Sequence, residues 1–205
     1  MRPRAGTGPE RRAGPARRKP EVTMGSVIYY VAASVDGMIA DTEGGVGFLE
    51  PFERSGEEYG YEAFLGHVGA VVMGSGTYEW LLEAGVDWPY SGIEAVVMTG
   101  RRLPQPKGGH VAFAAGDPGE VVRALRARHA QDIWLAGGGK LAAAFVEGDL
   151  VDEYDLTIIP VVLGAGIPLL ARRPGPANAR RLVLVEHQAY PSGVIRMRYV
   201  VPRGS

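Results

Sequence analysis

Two glycine-rich turns carry the backbone groups best suited to bind an anion. The first is Gly74-Ser75-Gly76, after the apolar run 70–73, and the second is Gly137-Gly138-Gly139, after 133–136. Each turn leads into a segment with helical spacing. The first N–H groups of a helix have no partner within that helix, and together with the helix dipole they favour a phosphate. Two such turns in one domain point to a ligand with two phosphates, such as a dinucleotide.

A purely structural role for these glycines is the alternative, because glycine after a strand often only permits a tight turn. Three successive glycines at Gly137-Gly138-Gly139 argue against it, since each costs helix propensity relative to alanine. A phosphotransferase P-loop is poorly supported. Lys140 is followed by Leu141 where that motif requires Ser or Thr, and the upstream glycine spacing differs.

The composition is that of a globular protein with one sizeable domain. The 205 residues are 46% hydrophobic and 22% charged, with a net charge of −1. This balance gives no indication of nucleic-acid or membrane binding. The sequence contains no cysteine, which excludes disulfides and thiolate chemistry. This composition is consistent with a cytoplasmic protein. The four histidines have no metal-ligand spacing, so no metal site is expected.

Apolar runs alternate with helical segments along the chain, which predicts an α/β fold with a mostly parallel sheet. We expect a long mobile loop over 34–47, which carries several glycines, and a helix opened by Asp117 and Pro118. The last strand pair should supply antiparallel edges. The predicted strands are 27–33, 70–73, 95–99, 133–136, 153–160, 182–187 and 194–200, and the predicted helices are 52–67, 77–83, 118–128 and 140–147.

Both ends of the chain differ in composition from its middle. Residues 1–23 are rich in Arg, Pro and Gly, which predicts a disordered arm; a basic tail that touches a partner is the alternative. Residues 201–205 resemble the remnant of a protease cleavage site. A single folded domain is therefore expected over 24–200.

Four segments resemble the dihydrofolate reductase fold, in particular the branch similar to the reductase domain of bacterial riboflavin biosynthesis. They are the opening strand and loop at 32–40, the Met-Gly element at 72–79, the triple-glycine element at 133–141 and the late signature at 150–169. The resemblance covers residues 26–200. It implies a three-layer α/β fold with a mostly parallel central sheet and antiparallel C-terminal edge strands.

The same resemblance implies NADPH as the cofactor. Arginine suits the 2′-phosphate, which favours NADPH over NADH. The family's arginine in the Met-Gly element is Ser75 here, which leaves Arg101, Arg102 and Lys140 to compensate. The implied cofactor contacts are Ala32, Ile39 and Ala40 at the nicotinamide end, Gly74, Ser75, Gly76 and Thr77 together with Gly137, Gly138, Gly139, Lys140 and Leu141 at the pyrophosphate, and Thr99, Gly100 and Arg101 at the adenosine.

Folate reductases use a carboxylate on the first helix to hold the pteridine, and Glu58 falls at that place, with Glu57 and Glu62 nearby. A carboxylate buried in an apolar cleft would have a raised pKa and could transfer a proton. Glu58 and Glu62 are thus the candidate catalytic residues. The alternative is that they belong to a solvated helix face.

These observations predict an NADPH-dependent reductase that transfers a hydride to a C=N or C=O carbon of a small heterocycle, of pteridine or ribosylaminopyrimidine type. The alternative is a non-catalytic protein that binds a nucleotide or drug-like molecule on the same fold. Members of the branch are often dimers, so a homodimer is expected.

Overall fold

A mixed sheet flanked by helices forms the centre of the molecule. A computed structural model describes residues 25–85, 87–172 and 179–202. The strands are Val27–Ser34 (β1), Met38–Ala40 (β2), Val68–Gly74 (β3), Glu94–Met98 (β4), Val111–Ala114 (β5), Asp132–Leu135 (β6), Glu153–Ile159 (β7), Ile167–Pro168 (β8), Val183–Ala189 (β9) and Ile195–Val200 (β10). The helices are Glu50–Glu53 (α1), Tyr61–Leu65 (α2), Ser75–Glu83 (α3), Pro118–Arg128 (α4) and Gly139–Glu147 (α5), with a 3₁₀ turn at Gly47–Leu49.

The sheet follows the order β5-β4-β3-β6-β1-β7-β10-β9. Neighbours from β5 to β7 are parallel, whereas β10 is antiparallel to both β7 and β9. The predicted α/β class, with a mostly parallel sheet and antiparallel C-terminal edge strands, is confirmed. A separate two-stranded ladder joins β2 to β8.

Two apolar clusters fill the space between the sheet and its helices. On one face, Val122 of α4 and Phe145 of α5 pack with Tyr29 and Leu135 of the sheet. On the other face, Phe64 of α2 and Tyr78 of α3 belong to the second cluster. The parallel strands are covered on both faces, and this explains why β3 reads as an almost unbroken apolar run.

The predicted start of α4 is confirmed. The side chain of Asp117 accepts a hydrogen bond from the Gly119 N–H at 2.9 Å, and Pro118 occupies the first helical position. By contrast, the N-cap residues of α3 and α5 are Gly74 and Gly138, which provide no side-chain cap. Their first N–H groups are therefore not satisfied by a side chain.

Two sequence predictions for the segment between β1 and β3 are wrong. The helix expected over 52–67 is replaced by the short helices α1 and α2, because Gly56 and Gly60 adopt positive φ angles of 74° and 87° between them. The loop expected over 34–47 contains β2, which is held by β8. The strand β5 was not predicted; its apolar run is only four residues long.

The structure describes only part of the chain around the predicted domain boundaries at 24 and 200. Residues 1–23 lie outside the described residues, as do 203–205. Val201 packs against the core and donates a hydrogen bond to the Asp152 carbonyl at 2.9 Å, so the domain continues past residue 200. In the ranges that the structure describes, no helix has the length and apolar character needed to cross a membrane.

Candidate functional site

The two glycine turns lie side by side at the carboxyl edge of the sheet. β3 and β6 are neighbours, and the Ala136 N–H donates to the Val72 carbonyl at 2.9 Å where both strands end. β3 leads into α3 on one face, and β6 leads into α5 on the other. A crevice opens where adjacent parallel strands send their helices to opposite faces, and ligands bind there in open α/β sheets.

The backbone of the second turn is bare for geometric reasons. Gly137 and Gly138 have φ angles of 104° and 85°, which L side chains rarely adopt. A Cβ on Gly137 would face open space, and one on Gly138 would lie 3.7 Å from Thr77 Oγ1 of the first turn. At Gly139 a Cβ would come within 2.1 Å of the Pro168 carbonyl oxygen. Gly137 and Gly138 thus permit a turn with positive φ angles, and Gly139 permits the close approach of two backbone segments.

Thr99, Gly100 and Arg101 follow β4 at the same edge. Gly100 is exposed, and the Arg101 N–H donates to Thr99 Oγ1 at 3.0 Å. The Arg101 guanidinium holds both carboxylate oxygens of Glu79, at 2.9 and 2.6 Å, and this pairing raises the pKa of Arg101. Arg101, the residue predicted to bind the 2′-phosphate, is therefore paired with a carboxylate on α3. The pair is exposed, so a phosphate could take the place of Glu79 at little cost. Lys140 is also exposed.

Asp36 fastens the loop after β1 to the loop after β7. The Ser34 hydroxyl donates to its carboxylate at 2.7 Å, and the Leu163 and Gly164 N–H groups donate at 3.1 and 2.8 Å. These hydrogen bonds, that of Ser34 above all, lower the pKa of Asp36 to about 2. The carboxylate is consequently ionised at any physiological pH, and the tie between the loops persists.

The segment 166–171 connects this loop to the triple-glycine turn. The Leu169 N–H donates to the Gly37 carbonyl at 2.8 Å, and the Ala171 N–H donates to the Gly139 carbonyl at 3.0 Å. The Tyr29 hydroxyl donates to the Leu169 carbonyl at 2.7 Å. Ile39 is half-buried and Ala40 is buried in β2, which pairs with β8 inside this same segment. One segment of backbone therefore spans the predicted nicotinamide and pyrophosphate ends.

Two segments bound the site on the other side of β1, the loop 54–60 and the turn of the β9–β10 hairpin. We refer to these two segments as the wall. Glu57 accepts hydrogen bonds from the Tyr59 hydroxyl at 3.0 Å and from the Ser192 N–H at 3.4 Å. The rings of Tyr59 and Tyr190 meet edge to face at 4.8 Å. Hydrogen bonds, first of all with Ser192, lower the pKa of Glu57. The wall is thus an ordered part of the structure.

The proton transfer proposed for Glu58 and Glu62 assumed that their carboxylates are buried. Neither side chain is buried in the structure. Glu58 lies in the loop 54–60 and accepts from the Gly60 N–H at 2.9 Å, while Glu62 lies on α2, and both are exposed. The left-handed glycines that interrupt the predicted helix place Glu58 outside any helix. Their catalytic role stays a prediction.

An ion pair that was not predicted from the sequence joins β10 to β7 next to this wall. The Arg196 guanidinium donates to both oxygens of Asp155, at 2.8 and 2.6 Å, and Asp155 is only 3% exposed. Arg198 continues the network to Glu153 and Glu186. Charged and polar residues at every second position of β7 and β10 were a usable signal, because such residues share one face of a strand.

Four further observations complete the site. Ala32 is half-buried on β1 beside Thr157 of β7. Gly74, Ser75 and Thr77 are half-buried at the start of α3, and Gly76 is exposed. A Cβ on Gly74 would meet the Leu141 side chain at 3.9 Å, so the two helix starts are in contact range. Among the described residues, no group of three or more His, Asp or Glu side chains could hold a metal ion.

Comparisons with known proteins agree with this architecture. The sequence profile of the RibD C-terminal domain matches residues 91–196. The uncharacterized protein YwjB of Bacillus subtilis (strain 168) is 37% identical over 142 residues, which cover 69% of this chain and 80% of YwjB.

Solved structures show the same fold. A protein from Shewanella sp. PV-4 assigned to riboflavin biosynthesis superimposes with a TM-score of 0.77 at 25% identity, over 87% of this chain and 99% of that one. Dihydrofolate reductase from Enterococcus faecalis, complexed with NADP(H), gives a TM-score of 0.61 at 14% identity over 87% and 97% of the two chains. The resemblance to this superfamily is confirmed.

Proposed function

This chain belongs to the RibD C-terminal domain family, on a dihydrofolate reductase-like fold, and we propose that it is an NADPH-dependent reductase of a small heterocycle. The observation that carries the proposal is the pair of helix starts without side-chain caps, which face one crevice from opposite sides of the sheet. The non-catalytic alternative shares this crevice, so activity has to be tested separately from binding.

The residues present fit a dinucleotide. Gly76, Gly100 and Gly137 each leave open space where a Cβ would stand, so at these three turns no side chain of the turn itself fills the crevice. The α3 and α5 dipoles both direct their positive ends towards it. Ala32 lies near the carboxyl end of β1, and its small side chain suits a planar ring.

When bound, NADPH supplies the hydride, and the chain supplies position and exclusion of water. The backbone of the two turns would hold the pyrophosphate, and Arg101 would hold the 2′-phosphate in place of Glu79. The loop 34–47, tied by Asp36, would cover the nicotinamide end. Hydride transfer to a C=N or C=O carbon also requires one proton at the nitrogen or oxygen, which solvent at the exposed Glu58 can deliver.

We expect Arg101→Gln to weaken NADPH binding by about tenfold or more and to leave NADH binding unchanged, because only NADPH carries the 2′-phosphate. The measurement is quenching of fluorescence from the three tryptophans during titration with each nucleotide. Trp134 lies on β6, which leads directly into the triple-glycine turn, and should report binding.

Arg128→Gln is the matched control. Arg128 makes a similar two-point pair with Glu94, at 3.2 and 2.6 Å, next to the opposite end of β4. It should bind both nucleotides like the wild type. Failure of the wild type to bind either nucleotide would refute the proposal, and tight binding without reduction of any pteridine or pyrimidine would favour the non-catalytic alternative.

We also propose that the protein is a homodimer joined through β9. All seven residues of this edge strand are exposed, including Val183, Leu184 and Val185 at 45%, 47% and 51%. Exposed apolar edges invite pairing unless they are covered, and a second copy would cover this one. Val185→Lys should convert the dimer into a monomer in light scattering, whereas Val162→Lys, at a residue 72% exposed elsewhere, should not. A monomeric wild type would contradict the proposal.

A further inference from the structure

Tyr30 presents a tyrosine ring beside the floor of the proposed site. Its side chain lies on the same face of β1 as Ala32, because alternate residues of a strand share a face. Ala32 pairs with Thr157 of β7, and Tyr30 pairs with Asp155 one step below on that face. A substrate next to the nicotinamide at Ala32 would therefore lie beside the Tyr30 side chain.

The ring is held rigidly. Phe64 of α2 stacks on it with a centroid separation of 4.2 Å and an interplanar angle of 11°. Trp134 contacts it edge to face at 6.2 Å, and the Arg196 guanidinium lies 5.8 Å from its centroid. Arg196 is itself fixed by its two hydrogen bonds to Asp155. Little conformational freedom remains to be lost when a ligand binds.

The Tyr30 hydroxyl makes no hydrogen bond with any residue that the structure describes. Burial raises the pKa of Tyr30, against a lowering by Arg196, so the group remains an O–H donor at physiological pH. The negative charges of Asp155 and Glu58 raise this pKa further.

An unpaired tyrosine hydroxyl alone is weak support, and Tyr90 shows why. Tyr90 belongs to the same aromatic cluster and also makes no hydrogen bond through its hydroxyl among the described residues. It lies before β4, at the amino edge of the sheet, away from the glycine turns. Of these two tyrosines, Tyr30 combines a fixed ring, a free donor and a place next to Ala32.

We propose that the Tyr30 hydroxyl donates a hydrogen bond to the substrate and selects heterocycles that carry a carbonyl oxygen or ring nitrogen at this point. This inference rests on the proposed function, since that function places the substrate above β1. A site built around a fixed donor discriminates strongly against analogues that lack the acceptor.

The test is Tyr30→Phe, which keeps the ring and its stacking on Phe64. The probe is 7,8-dihydropterin, titrated by calorimetry in the presence of saturating NADP⁺, so that binding is measured without turnover. We expect the wild type to bind it and Tyr30→Phe to bind it about tenfold more weakly or worse. Tyr90→Phe should match the wild type, and all three proteins should share one thermal midpoint within a few degrees.

A second probe, 2-amino-7,8-dihydropteridine, lacks the carbonyl and identifies the acceptor. If Tyr30→Phe weakens only dihydropterin binding, the carbonyl oxygen is the acceptor; if it weakens both, a ring nitrogen is. Equal binding by wild type and Tyr30→Phe would overturn the inference, as would a wild type that binds NADPH but neither probe. A wild type that binds neither nucleotide would instead refute the proposed function.

Discussion

Replacing Arg196 with methionine is expected to destabilise the protein by about 3–5 kcal/mol, because it leaves the carboxylate of Asp155 buried without its partner. Asp155 is 3% exposed, and among the described residues the other cation paired with it is Arg198, whose Nε lies 3.7 Å from its Oδ2. That distance is too long to replace the two hydrogen bonds that Arg196 donates. Urea unfolding followed by circular dichroism measures the loss.

The loss of stability in Arg196→Met should come from leaving Asp155 unpaired, and not from removing the arginine side chain itself. The double substitution Asp155→Leu with Arg196→Met removes both charges and should recover most of the stability, since a buried pair often contributes little over apolar residues of similar volume. Arg128→Met breaks a pair with Glu94 whose side chains are 51% and 31% exposed, and should cost at most about 1 kcal/mol. Equal losses from Arg128→Met and Arg196→Met would contradict this account.

A second consequence of losing Arg196 concerns α2. Gly60, at φ 87°, immediately precedes this helix, and a Cβ there would stand 2.0 Å from Arg196 Nη1, so the guanidinium lies directly against its backbone. Removal of the guanidinium leaves a gap beneath the start of α2. Hydrogen exchange over 54–65 should therefore accelerate in Arg196→Met.

The fold could be predicted largely from the sequence, because local signals agreed with the tertiary structure. Apolar runs such as 70–73 are buried on both faces, and glycines at 74 and 137–139 mark strand ends where the chain turns into helices. Where helical spacing and glycine conflicted, as over 52–67, the left-handed conformations of Gly56 and Gly60 prevailed. A periodicity of apolar residues says nothing about the φ angle that a glycine between them will adopt.

The candidate site was less accessible to prediction, because its parts are joined by contacts distant in sequence. The pairing of Arg101 with Glu79 depends on the packing of α3 against the end of β4. The stacking of Tyr30 on Phe64 depends on where the short helix α2 settles. No spacing in the chain encodes such partners, although the alternating charges of β7 and β10 could have indicated a polar face.

Replacing Gly139 with alanine is expected to lower NADPH affinity by more than tenfold and stability by about 1–3 kcal/mol. The new Cβ would stand 2.1 Å from the Pro168 carbonyl oxygen and 3.4 Å from the Ala171 nitrogen. Both are backbone atoms, so neither can rotate away as a side chain would. Either the segment 166–171 or the triple-glycine turn has to move, and a displaced turn no longer presents its N–H groups to a phosphate.

Gly66→Ala separates this steric effect from the general cost of replacing a glycine. Gly66 has a φ of −60°, and its nearest contact would be the Ala63 carbonyl oxygen at 3.6 Å, which is an ordinary distance. That variant should match the wild type in nucleotide titration and remain within about 0.5 kcal/mol in unfolding. The same titration of Gly139→Ala must be carried out at a temperature where circular dichroism shows it folded.

The displacement should also reach the loop 34–47. Leu169 is bonded to both Gly37 and the Tyr29 hydroxyl, so a shift of its backbone pulls on β1 and on the loop that Asp36 fastens. We expect faster hydrogen exchange at 37–41 in Gly139→Ala, although these residues are distant from the substitution in sequence. Wild-type NADPH affinity together with unchanged exchange would show that the segment 166–171 does not position the turn, and the two ends of the site would then have to be treated as independent.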